Sequence, residues 1–191
     1  LTLPPGLAGE ARERLLEVFA KIAAFAGRVE AACGDELACG PGCSGCCRGG
    51  LSLRAVEAAF LLEGARALAS GDAATLRSCV GRGGQGGEGD ACPLLHAGRC
   101  LAYEHRPAVC RTHGLPMLRP LSGPGEEAPL VHHCLRNFPG VDARSLPPSL
   151  LLDETRLSLL LDAVDALYGR ESGWPGGRVP MDELLRAGLE S

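Results

Sequence analysis

A chain of 191 residues is long enough for one domain with a real core and short for two. A net charge of −4, with the arginines scattered rather than clustered, removes the electrostatic case for nucleic acid or an anionic membrane as partner, and no apolar run is long enough to span a bilayer. Aromatic residues are 4% of the chain, so its 46% hydrophobic content rests on Leu, Ala and Val, which favour helices packed with small and medium side chains.

After Pro4-Pro5-Gly6, apolar residues recur at Leu15, Phe19, Ile22, Ala26 and Val29, which is helical spacing. Glu10, Arg12, Glu13, Glu17 and Arg28 fall mostly on the other side, and the helix is expected to end before Gly34. The stretch 39–47 is too rich in Gly and Pro to begin as a regular element. From Ser52 to Ala69 the pattern is helical again, with Ser52 as N-cap and Val56, Ala59, Phe60 and Leu62 on one face. A shorter helix follows Asp72 and runs through Leu76 to about Val80.

Gly81 to Gly89 reads as a flexible connection, since it lacks the Gly-Lys-Ser/Thr ending of a phosphate-binding loop. Cys92 to Cys110 is loop-like, closing in a short helix that Pro107 opens. Prolines 116, 120, 124 and 129 make the next segment irregular. The principal C-terminal helix is expected over Ser149 to Tyr168, with Leu150, Leu157, Leu160, Leu161, Val164, Leu167 and Tyr168 on one broad face. A last helix, Met181 to Leu189, has Asp182 and Glu183 in its first turn, where the helix dipole favours negative charge. The expected fold is mainly α: a single helical domain over 1–191 wrapped around a loop-rich cysteine metal centre, with little or no β structure. The cysteine core spans 33–140, and helices over 7–32 and 147–190 flank it.

The chemistry is concentrated in cysteine. Eight of the ten fall into one pattern: Cys39, Cys43, Cys46 and Cys47, then Cys92, Cys100 and Cys110, then Cys134. Thiolates suit zinc or iron, and closely spaced ones share a loop-closure cost. Cys43 and Cys46 form the two-residue-spaced chelate common to tetrahedral zinc and iron–sulfur sites. Cys47 points away from Cys46 in any regular backbone, so it serves a second metal, bridges two metals or packs as a small hydrophobe. Disulfides are the competing use. They dominate in small secreted domains that cannot build a core, and adjacent cysteines pair with each other only in a strained ring. Metal in a reducing compartment is the better reading.

Four thiolates on one zinc, or on one oxidised four-iron cluster, leave a charge of about −2. Arg48, Arg99, Arg106 and Arg111 lie within a few residues of these cysteines and are candidates to balance it. Cys33 and Cys79 fall outside the pattern and read as small buried residues. His113, His132 and His133 are secondary metal candidates, with His96 and His105 behind them. Tyr103 is expected to pack with its hydroxyl bonded to backbone. No Ser-His-Asp set stands out by its spacing, so no catalytic residue is assigned.

The motifs Cys39-Gly-Pro-Gly-Cys43-Ser-Gly-Cys46-Cys47 and Cys92-Pro-Leu-Leu, continued by Gly98-Arg99-Cys100-Leu-Ala-Tyr103-Glu104-His105-Arg106-Pro107 and Cys110-Arg111, resemble those of the YkgJ-type cysteine-cluster proteins. Cys134-Leu-Arg-Asn137-Phe138 is similar to the C-terminal extension of that family, and the resemblance covers about residues 39 to 138. It implies zinc or iron binding and a bacterial, cytoplasmic origin, and it implies no particular reaction. Some flagellin lysine methylases carry a similar cluster, but no motif here is assignable to a methyl donor. The expected function is a metal-binding protein with a multi-cysteine zinc or iron site, used in metal handling, sensing or protein assembly. The alternative is an iron–sulfur redox protein or enzyme built on the same eight cysteines.

Overall fold

The computed structural model describes residues 2–40, 42–81, 91–119 and 129–190. The expected Gly81–Gly89 connection lies, apart from Gly81, outside the described residues, as does the 120–128 stretch. Among the described residues the chain is mainly α-helical, with seven strands of two or three residues forming three small sheets. It falls into two compact units. The first comprises Leu1–Leu15, Pro41–Pro107 and Ala163–Ser191, and the second Leu16–Gly40 and Ala108–Asp162.

The first unit is organised on helix α2 (Ala55–Arg66), nearly all of whose residues are buried. A helix apolar on all sides belongs inside a core, and this one packs against α6 (Met181–Glu190) and the Tyr103–His105 turn. α3 (Ser70–Gly81) also packs on α6 and begins before Asp72, earlier than its sequence suggests. Ser52 is not the N-cap of α2. Ser52–Leu53 is instead strand β1, paired antiparallel with β7 (Val179–Pro180), and Arg54 occupies the cap position without a capping side-chain bond.

The missing cap arrives from elsewhere. Asp165 Oδ1 accepts the Val56 N–H at 2.9 Å, doing for α2 what a local Ser or Asp ordinarily does. Glu171 caps the start of α1 (Gly9–Cys33) in the same way, accepting the N–H groups of Glu10 and Ala11 at 3.1 Å each. Both carboxylates lie on α5 (Glu154–Ser172). Tyr168, from the same helix, is buried and donates its hydroxyl to the Pro5 carbonyl at 2.6 Å.

The second unit has its own core. Phe25 and Val29 of α1 meet Phe138 and Leu150, with Cys33, Leu37, Leu115, Val141, Leu146 and Leu152 around them. A three-stranded sheet lies here, in the order β5 (Leu130–His132), β4 (Met117–Arg119), β6 (Leu152–Asp153). β4 runs antiparallel to β5 and parallel to β6. The sheet accounts for the late start of α5. Leu150 turns into the core, Leu152–Asp153 extends to pair with β4, and Asp153 Oδ1 then caps the helix through the Arg156 N–H at 2.9 Å. α5 therefore begins at Glu154 rather than Ser149, and within it Leu161, Val164 and Tyr168 are buried whereas Leu160 is exposed. α6 starts where the sequence places it and ends one residue later.

Candidate metal centre

Five of the eight patterned cysteines belong to the first unit: Cys43, Cys46, Cys47, Cys92 and Cys100. Three belong to the second: Cys39, Cys110 and Cys134. None of the ten cysteines forms a disulfide, and all are at least partly accessible.

In the first unit, residues 42–50 form a loop bounded by glycines in the left-handed region, Gly42 at φ 86° and Gly50 at φ 76°. A tight turn carries the Cys47 N–H to the Ser44 carbonyl at 3.0 Å and the Arg48 N–H to the Cys46 carbonyl at 2.9 Å. This brings Cys43, Cys46 and Cys47 within electrostatic reach of one another. The Cys46 thiol is held above its ordinary pKa by partial burial first, and then by Cys47 and Cys43, whose thiolates would repel its own.

Cys92 and Cys100 are tied to this turn through backbone. The Cys92 N–H donates to the Cys47 carbonyl at 3.1 Å, beside a bridge between Arg48 and Ala91. A hairpin follows, β2 (Leu95–His96) against β3 (Arg99–Cys100), with Leu95 opposite Cys100. Its two turn residues, Ala97 and Gly98, have φ of 48° and 76°, the left-handed pair that a two-residue hairpin turn requires. Burial pushes the Cys100 thiol upward, opposed by the Ala102 N–H and by the positive charge of Arg106.

In the second unit, Cys110 sits on α4 (Ala108–Thr112), which starts just after Pro107 as its sequence predicts. Cys39 and Cys134 are organised around two residues without sulfur. Asn137 Oδ1 accepts the N–H groups of Ala38 and Cys39 at 2.9 and 3.2 Å, and its Nδ2 donates to the Gly114 carbonyl at 2.8 Å. Gly114 has φ 94°, and a Cβ there would lie 3.0 Å from Cys39 Sγ and 3.7 Å from Cys134 Cβ.

The neighbouring cations and histidines have varied roles. Arg106 lies over the ring of Tyr103, 3.4 Å from its centroid, and acts on Cys100. Tyr103 itself is 55% exposed, so it is not the packing residue its sequence suggests. Arg99 engages Asp72 at 2.6 Å, and Arg111 stacks over Phe19. His105 packs on Phe60, with ring centroids 4.6 Å apart, and His132 Nε2 meets Glu154 Oε2 at 3.2 Å. His133 Nδ1 lies 2.8 Å from the Cys134 carbonyl, and His113 is exposed. Cys33 packs against the Phe25 core, in keeping with its place outside the pattern.

Sulfur donors gathered in glycine-rich turns match in chemistry what zinc and iron prefer. The side chains are not closed into a coordination sphere: among the described residues, no three His, Cys, Asp or Glu side chains converge closely enough to hold an ion. Asn137, quoted in the sequence only as part of the Cys134 motif, and Gly114 are the organising residues to which sequence reasoning gave no role. Neither carries periodicity or donor chemistry of its own, and the Cys134-to-Asn137 spacing is the one local trace of the first.

No curated protein and no solved structure matches the chain. A family model matches residues 38–122, a span that takes in Cys39 through Cys110 and leaves Cys134 and Asn137 beyond it. That model is CxxCxxCC, described as a "Putative zinc- or iron-chelating domain", and residues 38–122 of the chain are similar to it.

Proposed function

We propose that the protein binds zinc or iron through Cys43, Cys46, Cys47, Cys92 and Cys100 in its first unit and through Cys39, Cys110 and Cys134 in its second. The observation that carries this reading is the turn at Cys43, Cys46 and Cys47. The glycine-bounded loop over 42–50 carries three thiols within five residues, and a divalent cation would hold them as thiolates. Bound thiolate-held zinc supplies structural closure, and iron as a cluster supplies one-electron redox chemistry. The role is metal handling, sensing or assembly with a protein partner, in the bacterial cytoplasm, where thiols are kept reduced. Nucleic acid and membrane are not partners in this reading. No helix among the described residues is long and apolar enough to cross a bilayer.

The test is elemental analysis with visible and EPR spectra on protein purified without oxygen. At least one equivalent of zinc or iron per chain is expected. Less than one equivalent of any transition metal would sink the reading. A second reading, an iron–sulfur redox protein, is favoured by the count of thiols in the first unit, which exceeds what a four-iron cluster takes. Broad visible absorption with a cluster EPR signal selects it, and colourless protein containing zinc alone rejects it.

A further inference from the structure

The side chain of Asn137 is 2% exposed, and its carboxamide spends both acceptor positions and one donor on backbone groups. Those groups belong to segments far apart in sequence: Ala38 and Cys39, and Gly114. The backbone N–H of Asn137 donates to the Cys134 carbonyl at 2.9 Å, closing the turn that presents Cys134. Its successor Phe138 donates its N–H to the Glu36 carbonyl at 2.7 Å, fastening the same turn to the segment before Cys39. One buried amide thus fixes both cysteine-bearing segments to the Gly114 turn that follows α4.

Gly114 completes the arrangement by having no side chain. The place where its Cβ would stand is bordered by Cys39 Sγ at 3.0 Å, Asn137 Nδ2 at 3.1 Å and Cys134 Cβ at 3.7 Å. The two cysteines, remote in sequence, therefore border the same small space. A hydrophobic residue at 137 could fill the volume, but it could not bond three backbone groups on two segments at once. A buried amide with unmet bonds is costly, so its cost is accepted where it fixes geometry.

We propose that Asn137 is the positioning residue of a metal site in the second unit, setting Cys39 and Cys134 as neighbouring thiolate ligands of one zinc or iron ion. This rests on the metal-binding reading above and extends it to a residue outside the matched family span. The carboxamide donates nothing to the metal. Its effect is to hold the Cys39 backbone and the Cys134 turn in register, so that ligation does not first have to order two loops.

The experiment titrates cobalt(II), a stand-in for zinc and iron, into reduced, metal-free full-length chain. The thiolate-to-cobalt charge-transfer absorption is read together with far-UV circular dichroism. Cys134→Ser identifies the part of the absorption that belongs to this site. Asn137→Ala is expected to weaken that same part by about 10- to 100-fold in cobalt affinity, the usual cost of losing a group that orients a ligand. A role in folding alone would lower the melting temperature of the metal-free chain and leave the cobalt affinity unchanged. Should Asn137→Ala fail to fold, Asn137→Asp decides: it keeps the oxygen that accepts from Ala38 and Cys39 and loses the donor to the Gly114 carbonyl, so the same part of the absorption should weaken. Wild-type affinity and intensity in the folded variant overturn the inference alone. A wild-type chain that takes up no cobalt overturns the metal-binding reading and the inference with it.

Discussion

The backbone N–H of Cys92 donates to the carbonyl oxygen of Cys47, 3.1 Å away, so that the two halves of the cysteine motif in the first unit are joined through main chain and not through sulfur. That bond uses neither thiol. Serine at either position keeps that bond and removes a soft donor. Cys47→Ser and Cys92→Ser are expected to change stability of the metal-free chain by no more than about 0.5 kcal/mol, as partly exposed positions usually do. Each should lower bound metal. Cys33→Ser should do the reverse, because its hydroxyl would face the Phe25, Val29, Phe138 and Leu150 core at a cost of about 1 kcal/mol, with metal content unchanged. Urea unfolding and elemental analysis on the three variants check both halves of the contrast.

The raised thiols of Cys46 and Cys100 give the metal-free protein a signed pH dependence. Both have folded-state pKa values above the ordinary 9.0, Cys46 through partial burial and its neighbours Cys47 and Cys43, Cys100 through burial. Between the unfolded and folded values the native state binds more protons than the unfolded one, so stability falls as pH rises. The contribution is complete below about pH 9 and is lost as pH climbs through the higher folded values. Metal inverts the sign, because ligation requires thiolate and releases protons, so affinity rises with pH. Melting curves from pH 7 to 10, with and without zinc, should diverge as pH increases. Parallel curves would refute the account.

The helical framework was legible in the sequence because apolar residues repeat at the helical period in α1, and because Asp182 and Glu183 mark the first turn of α6. What was not legible is supplied from a distance. Ser52 has the chemistry of an N-cap, yet β7 claims it as a strand partner, and Asp165 caps α2 instead. Nothing near Ala55 signals Asp165. The start of α5 was misplaced for the same reason: Leu150 satisfies a helical stripe and a core position equally well, and pairing of Leu152–Asp153 with β4 decides the matter. At the candidate site, the thiol spacing marked Cys39 and Cys134 as candidate donors. That Asn137 and Gly114 bring them to one place depends on contacts across a hundred residues, which no local pattern records.

Arg12 and Glu63 form a forked pair in the first unit, Nη1 to Oε2 at 2.5 Å and Nη2 to Oε1 at 2.8 Å. The hydrogen bonds from Arg12 hold the Glu63 carboxyl below its ordinary 4.5, against the opposing effect of partial burial. A depressed folded value means that the stabilisation is fully present above about pH 4.5 and is lost as pH falls through the lower folded value. The side chains are 34% and 41% exposed, so solvent screening confines the pair to about 0.5–1 kcal/mol, the upper end for surface pairs with good geometry. Glu63→Gln should therefore destabilise the chain by about that amount at pH 7. The gap from wild type should narrow as pH falls below about 4.5. A gap of constant size from pH 7 to pH 3 would show that lost packing, not charge, is responsible.

Gly64 stands in the middle of α2, where Ala would be favoured by about 0.5–1 kcal/mol on propensity alone. Its reason for being there is His105. A Cβ on residue 64 would overlap the ring Cγ of His105 and stand 2.5 Å from its Cβ, atoms too near the main chain to swing aside. The ring is further held against Phe60, with centroids 4.6 Å apart. Gly64→Ala should therefore destabilise by about 1–3 kcal/mol, as overpacked cores do, despite the gain in helix propensity. His105 belongs to the turn that carries Arg106 toward Cys100, so the same variant should also disturb the environment of that thiol. Relieving the clash tests the assignment. In a His105→Ala background, Gly64→Ala should become neutral or stabilising, giving a coupling of at least about 1 kcal/mol between the two sites in urea unfolding. Additive effects would mean that His105 moves freely out of the way and that the glycine has some other cause.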